Sequence, residues 1–167
     1  MDDEELTTYH EAGHAVMAAF LGGCVDRITI EPENDDQAAR YGDTCVVWPG
    51  GRWTERELAV HEIKVSLAGP VVEMIYSGNQ FAPELLAEWR CDWEMAVARG
   101  ASFLPSAGTI VAYLERMVSE LIQFFQRDDV WSAVAAIADE LGAHETLGGG
   151  SRECAVSVAD PAVGMPL

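Results

Sequence analysis

Two histidines four residues apart constrain this chain more than any other feature. Residues 10–14 read His-Glu-Ala-Gly-His, and side chains at this separation on a helix share one face, so His10 and His14 can bind the same metal ion. The pattern suits zinc, whose catalytic sites take three protein ligands and keep the fourth position for water. It therefore predicts a zinc site that still needs a third ligand, with Glu11 as the general base for that water.

The motif lies within a helix predicted over residues 6–21. This stretch has no proline and only one glycine, acidic residues precede it at positions 2–5, and Gly22-Gly23 follow it. Carboxylates favour the N-terminal end of a helix and glycine favours its C-terminal end. The other interpretation is a pair of structural histidines on an amphipathic helix. The helical context favours the metal site.

Composition and charge bound the class of protein. The 167 residues suit one domain, and the formal net charge of -18 argues against nucleic acid or an anionic membrane surface as partner. A polypeptide is the expected ligand. No apolar run approaches the ~20 residues of a membrane span, and the acidic start is unlike a signal peptide, so we expect a cytoplasmic protein.

The four cysteines form no Cys-x-x-Cys pair. They are far apart in the chain and occupy positions Cys24, Cys45, Cys91 and Cys154. This spacing does not indicate a structural zinc site or a redox motif. Together with a cytoplasmic location, it predicts free thiols in a reducing compartment.

Two short strands are predicted after the first helix, over residues 25–30 and 44–48. They would form a small hairpin with an exposed edge, and an extended peptide can add to such an edge as a further strand. The second strand is therefore the candidate substrate-binding segment. Its residues are Thr44, Cys45, Val46, Val47 and Trp48. Plain scaffolding is the other interpretation of the hairpin.

The chain is predicted to be helical from Thr54 onward. A capping box starts the first of these helices, in which Ala68-Gly69-Pro70 should produce a kink at Pro70 while Gly69 permits another backbone to approach closely. Apolar periodicity predicts further helices over about 84–99, 106–125 and 128–141. The fold class is thus α+β, mostly α-helical, with a small sheet beside the zinc-site helix. Residues 1–147 form the predicted domain, and residues 148–167 a glycine-linked flexible tail.

The third ligand is sought on the helix over residues 84–99. Asp92 lies among apolar residues, where a carboxylate is costly to bury unless it is paired or binds a metal. Glu88, one helical turn earlier, is its rival, and either side chain could instead face solvent. His61 and His144 are interpreted as surface or capping histidines rather than ligands.

Residues 7–16, Thr-Thr-Tyr-His-Glu-Ala-Gly-His-Ala-Val, resemble the zinc-site helix of the FtsH-type metalloproteases, peptidase family M41. Residues 26–30, residues 67–73 with Gly78, and residues 145–147 are similar to further segments of that family. The resemblance implies a mostly helical protease domain with a small sheet. It also implies an aspartate as third zinc ligand, and Asp92 falls at that position. In the family, the residues Thr-Gly-Ala-Ser-Asn precede this aspartate. In this sequence the corresponding residues 87–91 are Ala-Glu-Trp-Arg-Cys.

The family also carries membrane helices and an ATP-driven unfolding module, and its protease domains form a ring of six. This sequence has no Gly-x-x-x-x-Gly-Lys-Ser/Thr phosphate-binding motif. We therefore expect an ATP-independent zinc metalloendopeptidase that cleaves peptides or unstructured proteins. A separate ATPase partner and a homo-oligomer are further expectations. The alternatives are a non-catalytic zinc-bearing adaptor domain that binds a protein partner, and hydrolysis of another amide by the same chemistry.

Overall fold

Five helices and a small sheet make up the described part of the chain. The computed structural model describes residues 3–31, 42–82, 87–148 and 154–156. The elements are α1 (Asp3–Phe20), β1 (Cys24–Thr29), β2 (Asp43–Val47), α2 (Glu55–Ser77), α3 (Ala87–Gly100), α4 (Ala107–Phe125), α5 (Asp128–His144) and β3 (Thr146–Gly148). The predicted class, α+β and mostly helical, is confirmed.

Helix α2 lies at the centre and contacts α1, α3 and α4. It begins at the predicted capping box, in which Thr54 and Glu57 satisfy each other's backbone N–H groups, and it ends at Gly78, whose φ is 72°. The residues of the predicted kink, Ala68-Gly69-Pro70, lie inside α2, which continues through them as one helix. Gly13 explains how closely α1 approaches, because a Cβ added there would lie 2.8 Å from the Ala68 carbonyl oxygen.

Two apolar clusters hold these elements together. The larger one joins the buried faces of α1, α2, α4 and α5, with Leu67, Leu114 and Phe125 fully buried. The smaller one packs α1 and α5 against β1 through residues such as Ala15, Val25 and Leu141. Burial of this kind is the main favourable contribution to folding. Both clusters use α1, so the helix that bears the histidine pair is anchored on two sides.

The sheet has three antiparallel strands in the order β2-β1-β3. The predicted two-stranded hairpin was therefore incomplete, because Thr146–Gly148 pairs with the end of β1. A strand of three residues that ends in glycine is too short to show the alternation of apolar and polar residues that predicts a strand. β1 is central, and β2 pairs only with β1 among the described residues, so its outer edge is an edge of the sheet.

Cys24 and Cys154 form a disulfide, so the prediction of free thiols is wrong for these two residues. Cys45 and Cys91 are free and exposed. The bond brings part of the predicted tail to β1, where the Ala155 N–H donates to the Val25 carbonyl oxygen at 2.7 Å. Spacing could not reveal this pair, because 130 residues separate its members. The rest of the predicted tail beyond Gly148 lies outside the described residues.

Some predicted helix ends also move. The helix predicted from residue 128 has Arg127 as its N-cap, and Asp128 and Asp129 occupy its first turn. His144, which follows the predicted helix end at residue 141, is the last residue of α5 and pairs with Glu140 at 3.5 Å. His61 lies on α2 as predicted. Within the described ranges, no helix combines the length and apolar character that a membrane crossing needs.

Candidate metal centre

Three potential ligand atoms converge between α1 and α3. His10 Nε2 lies 3.0 Å from His14 Nε2 and 3.0 Å from Asp92 Oδ2, and His14 Nε2 lies 3.6 Å from the same Asp92 oxygen. In a tetrahedral zinc site with bonds of about 2.0–2.1 Å, ligand atoms are roughly 3.3 Å apart. The structure thus brings together the three predicted ligands at separations that fit a metal ion. Their role as ligands stays a prediction.

The other ring nitrogen of each histidine has its own acceptor. His10 Nδ1 lies 2.8 Å from Glu73 Oε2, and His14 Nδ1 lies 2.7 Å from the Val65 carbonyl oxygen. Both acceptors favour a proton on Nδ1, which leaves the Nε2 lone pair for a metal ion. Sequence reasoning missed both partners. The only signal for Glu73 is that it is a lone acid in an apolar stretch of α2.

Charge at the cluster also favours a cation. Burial lowers the pKa of His10, but the hydrogen bonds that its ring donates to Asp92 and Glu73 outweigh burial and raise that pKa well above 6.5. Burial would raise the pKa of Asp92, but His14 and His10 hold it well below its usual range. Asp92 is therefore a carboxylate although only 9% of its surface is exposed. The negative charge that draws protons to the histidines would equally attract a metal ion.

Gly69 of α2 leaves the space that a metal ion would need. A Cβ at this position would lie 2.4 Å from His14 Nε2 and 2.8 Å from His10 Nε2. Any side chain there would enter the region on which the ligand atoms converge. Gly69 therefore allows a close approach of the two histidine side chains to the backbone of α2. Together with the ligand separations and the histidine tautomers, this space fits a zinc ion.

Glu11 is buried beside the cluster and is held by β2. The Thr44 hydroxyl donates to Glu11 Oε2 at 2.6 Å, and Gly42 lies over the other oxygen, since a Cβ there would be 2.6 Å from Oε1. Burial raises the pKa of Glu11, while His14, His10 and the Thr44 hydrogen bond oppose the increase without cancelling it. A raised pKa makes a carboxylate a better proton acceptor near neutral pH.

The five predicted substrate-binding residues differ in their contacts and in their exposure to solvent. Thr44 contacts Glu11, and Val46 packs against the smaller apolar cluster, whereas Cys45 and Val47 are exposed. Trp48 follows β2 and lies against the rings of Trp53 and His61. A peptide on this strand would be bound by its backbone edge rather than by one face of side chains. The side chain of Glu88, the rival ligand, lies outside the described residues.

The comparisons with known proteins add one similarity. The chain is 33% identical over 81 residues to the ATP-dependent zinc metalloprotease FtsH 1 of Alkaliphilus metalliredigens (strain QYMF). The match covers 47% of this chain and 13% of that protein, so the chain spans a small part of its relative's length. No protein-family model matches the chain. Part of the chain thus resembles part of a zinc metalloprotease.

Proposed function

We propose that this chain is a zinc metalloendopeptidase that cleaves peptides and unstructured proteins without ATP. The observation that carries the proposal is the convergence of His10 Nε2, His14 Nε2 and Asp92 Oδ2 within 3.6 Å of one another. Glu11, buried and following His10 on the same helix, supplies the carboxylate that peptide hydrolysis needs. The similarity to FtsH 1 supports the same chemistry.

The residues of the site have separate tasks in this proposal. Zinc, held by His10, His14 and Asp92, would supply the Lewis acidity that makes water a nucleophile near neutral pH and polarises a peptide carbonyl. Glu11 takes the proton from the attacking water and passes it to the nitrogen of the leaving amine. Thr44 holds the Glu11 carboxylate through its hydroxyl during both transfers.

The substrate would bind along the outer edge of β2. This strand pairs with β1 on one side, and its residue Thr44 touches the proposed base. A peptide added there as a fourth strand would have its backbone aligned beside Glu11. Main-chain pairing requires an extended segment, which unstructured proteins offer and folded proteins do not. ATP dependence is a property of the longer FtsH 1 protein, and we do not extend it to this chain.

The proposal is tested with Glu11→Gln on a casein substrate. The amide keeps the shape of the carboxylate but cannot take a proton, so we expect the cleavage rate to fall by about 10²- to 10⁴-fold, the usual contribution of a general base. Zinc content, measured by mass spectrometry of the metal, should stay at one ion per chain. Glu94→Gln, an exposed position on α3, is the matched control and should cleave like the natural chain.

Two results would overturn the proposal. One is cleavage by Glu11→Gln at the natural rate with zinc still bound, which would exclude Glu11 as the base. The other is a natural chain that holds zinc but cleaves neither casein nor short peptides. The second result would favour the adaptor interpretation, in which the metal site is structural and the surface binds a partner.

A further inference from the structure

Trp89 is a buried residue that the proposed function does not use. It lies on α3 three residues before Asp92, which places the two side chains on neighbouring parts of one helix face. Only 1% of its surface is exposed. It also belongs to residues 87–91, the segment in which this sequence departs from the FtsH-type pattern. Its indole group therefore needs an explanation from this structure.

The indole joins a chain of hydrogen bonds that ends at the metal site. Trp89 Nε1–H donates to Glu73 Oε2 at 2.7 Å. The same oxygen lies 2.8 Å from His10 Nδ1, so one carboxylate oxygen receives both N–H groups. His10 Nε2 is in turn one of the three converging ligand atoms. Trp89 is thus connected to a proposed zinc ligand through a single intermediate residue.

We propose that Trp89 is a positioning residue for His10 and acts through Glu73, an inference that rests on the proposed zinc site. A glutamate side chain has three rotatable bonds, and one hydrogen bond from a histidine ring does not fix all of them. A second donor on the same oxygen holds the carboxylate in place, and charge-assisted hydrogen bonds of this kind are the strong ones. The fixed carboxylate then sets the tautomer and the ring orientation of His10.

This arrangement gives α3 two effects on the metal site. Asp92 reaches the site directly, whereas Trp89 reaches it through Glu73 on α2 and His10 on α1. Correct packing of α3 on α2 therefore places one ligand and orients another. In this view the bulky residue at position 89 supports zinc binding and is more than a filler of the core.

A purely structural role for Trp89 is the competing explanation. Its ring stacks on Phe81 with centroids 5.6 Å apart, and a buried indole N–H needs some acceptor. Trp93, one turn further along α3, packs on the same Phe81 ring at 6.1 Å. A Trp93→Phe variant therefore loses the same atoms from the same aromatic group and is a matched control for Trp89→Phe.

The test measures zinc affinity by competition with a chromophoric zinc chelator. Trp89→Phe and Glu73→Gln should each weaken zinc binding by roughly 10- to 100-fold, the usual effect of losing a group that orients a ligand. Trp93→Phe should leave it unchanged. In the double variant, Trp89→Phe should add nothing to Glu73→Gln, because two residues in one chain of contacts are not additive.

A spectroscopic measurement on the natural chain covers the case in which Trp89→Phe does not fold. The indole ¹⁵N–¹H resonance of Trp89, identified by its absence from Trp89→Phe or from a Trp89→Tyr variant, should shift when zinc is added and when Glu73 is replaced by Gln. The shift with Glu73→Gln verifies the hydrogen bond, and the shift with zinc is the discriminating one, because a role limited to packing predicts no change of the indole resonance when zinc is added.

The outcomes separate this inference from the proposed function. Equal zinc affinity of Trp89→Phe and Trp93→Phe, or additive losses in the double variant, would overturn the role of Trp89 and leave the peptidase proposal intact. If Trp89→Phe weakens zinc binding but the natural chain cleaves no peptide, the inference stands and the peptidase proposal fails. A natural chain that binds no zinc would overturn both.

Discussion

Thr44 has a different role in the structure from the substrate contact that the sequence predicted. Its position on an edge strand suggested contact with a substrate, whereas its hydroxyl is bonded to Glu11 Oε2 at 2.6 Å. A neutral donor on a carboxylate oxygen fixes the direction of the carboxylate's remaining lone pairs. Thr44 therefore links β2, the proposed peptide-binding strand, to the proposed base on α1.

Replacing Thr44 by Val should test this link. The change keeps the β-branched shape and removes the hydroxyl, and a hydrogen bond to a charged group is worth about 1.5–3 kcal/mol. We expect kcat for peptide cleavage to fall by roughly tenfold or more, because each 1.4 kcal/mol of barrier is a factor of ten. Zinc affinity should not change. Thr7→Val, which removes a hydroxyl bonded to the Asp3 carbonyl within α1, is the control. A fall in zinc affinity with unchanged kcat would contradict the role of Thr44.

At the scale of elements, the contact between α1 and α2 depends on glycines. Gly13 on α1 lets the backbone of α2 approach, and Gly69 on α2 leaves room for the two histidines of α1. Atoms closer than about 3 Å repel strongly, so close helix packing here requires residues without a Cβ. The site therefore lies beside a close contact between the two helices.

Gly69→Ala should abolish zinc binding while α2 remains helical. The new Cβ would meet His14 Nε2 at 2.4 Å, and alanine is otherwise favoured over glycine within a helix by roughly 1 kcal/mol. Gly108→Ala on α4 is the control, because nothing lies within 4 Å of a Cβ at that position. The measurements are zinc stoichiometry and circular dichroism. Zinc bound to Gly69→Ala at one ion per chain would show that the ligand atoms converge elsewhere.

At the scale of the whole molecule, β1 is held from both sides. β2 pairs along one edge, while β3 and residues 154–156 lie along the other. The disulfide between Cys24 and Cys154 fastens that second side across 130 residues of chain. Because β1 also packs on α1 and α5, the bond ties the end of the described chain to the layer that carries the site.

Reduction of this disulfide should lower the stability of the folded chain. Cross-links that close long loops restrict the unfolded state and typically contribute about 2–4 kcal/mol. We expect Cys24→Ser and Cys154→Ser each to lower the melting temperature under non-reducing conditions, whereas Cys45→Ser should not, because Cys45 is free. Thiol titration of the unreduced protein under denaturing conditions should find two thiols. Finding four would show that the bond does not form.

Local patterns in the sequence determined most of the helices and half of the site. The capping box of Thr54 and Glu57 lies within one helical turn, so spacing alone reveals it. The same holds for His10 and His14, which any α-helix brings to one face. These predictions need no knowledge of how the helices pack.

Only the tertiary structure decided the remainder, because its contacts join residues that are distant in the chain. His10 meets Glu73 across 63 positions and Asp92 across 82. Such separations specify no geometry until the helices have packed. Asp92 was inferred from the cost of burying an acid among apolar residues and from a resemblance, whereas Trp89, β3 and the Cys24 to Cys154 bond left no local signal. The chain's sequence thus determined that His10 and His14 lie on one helix face, and packing decided which groups surround them.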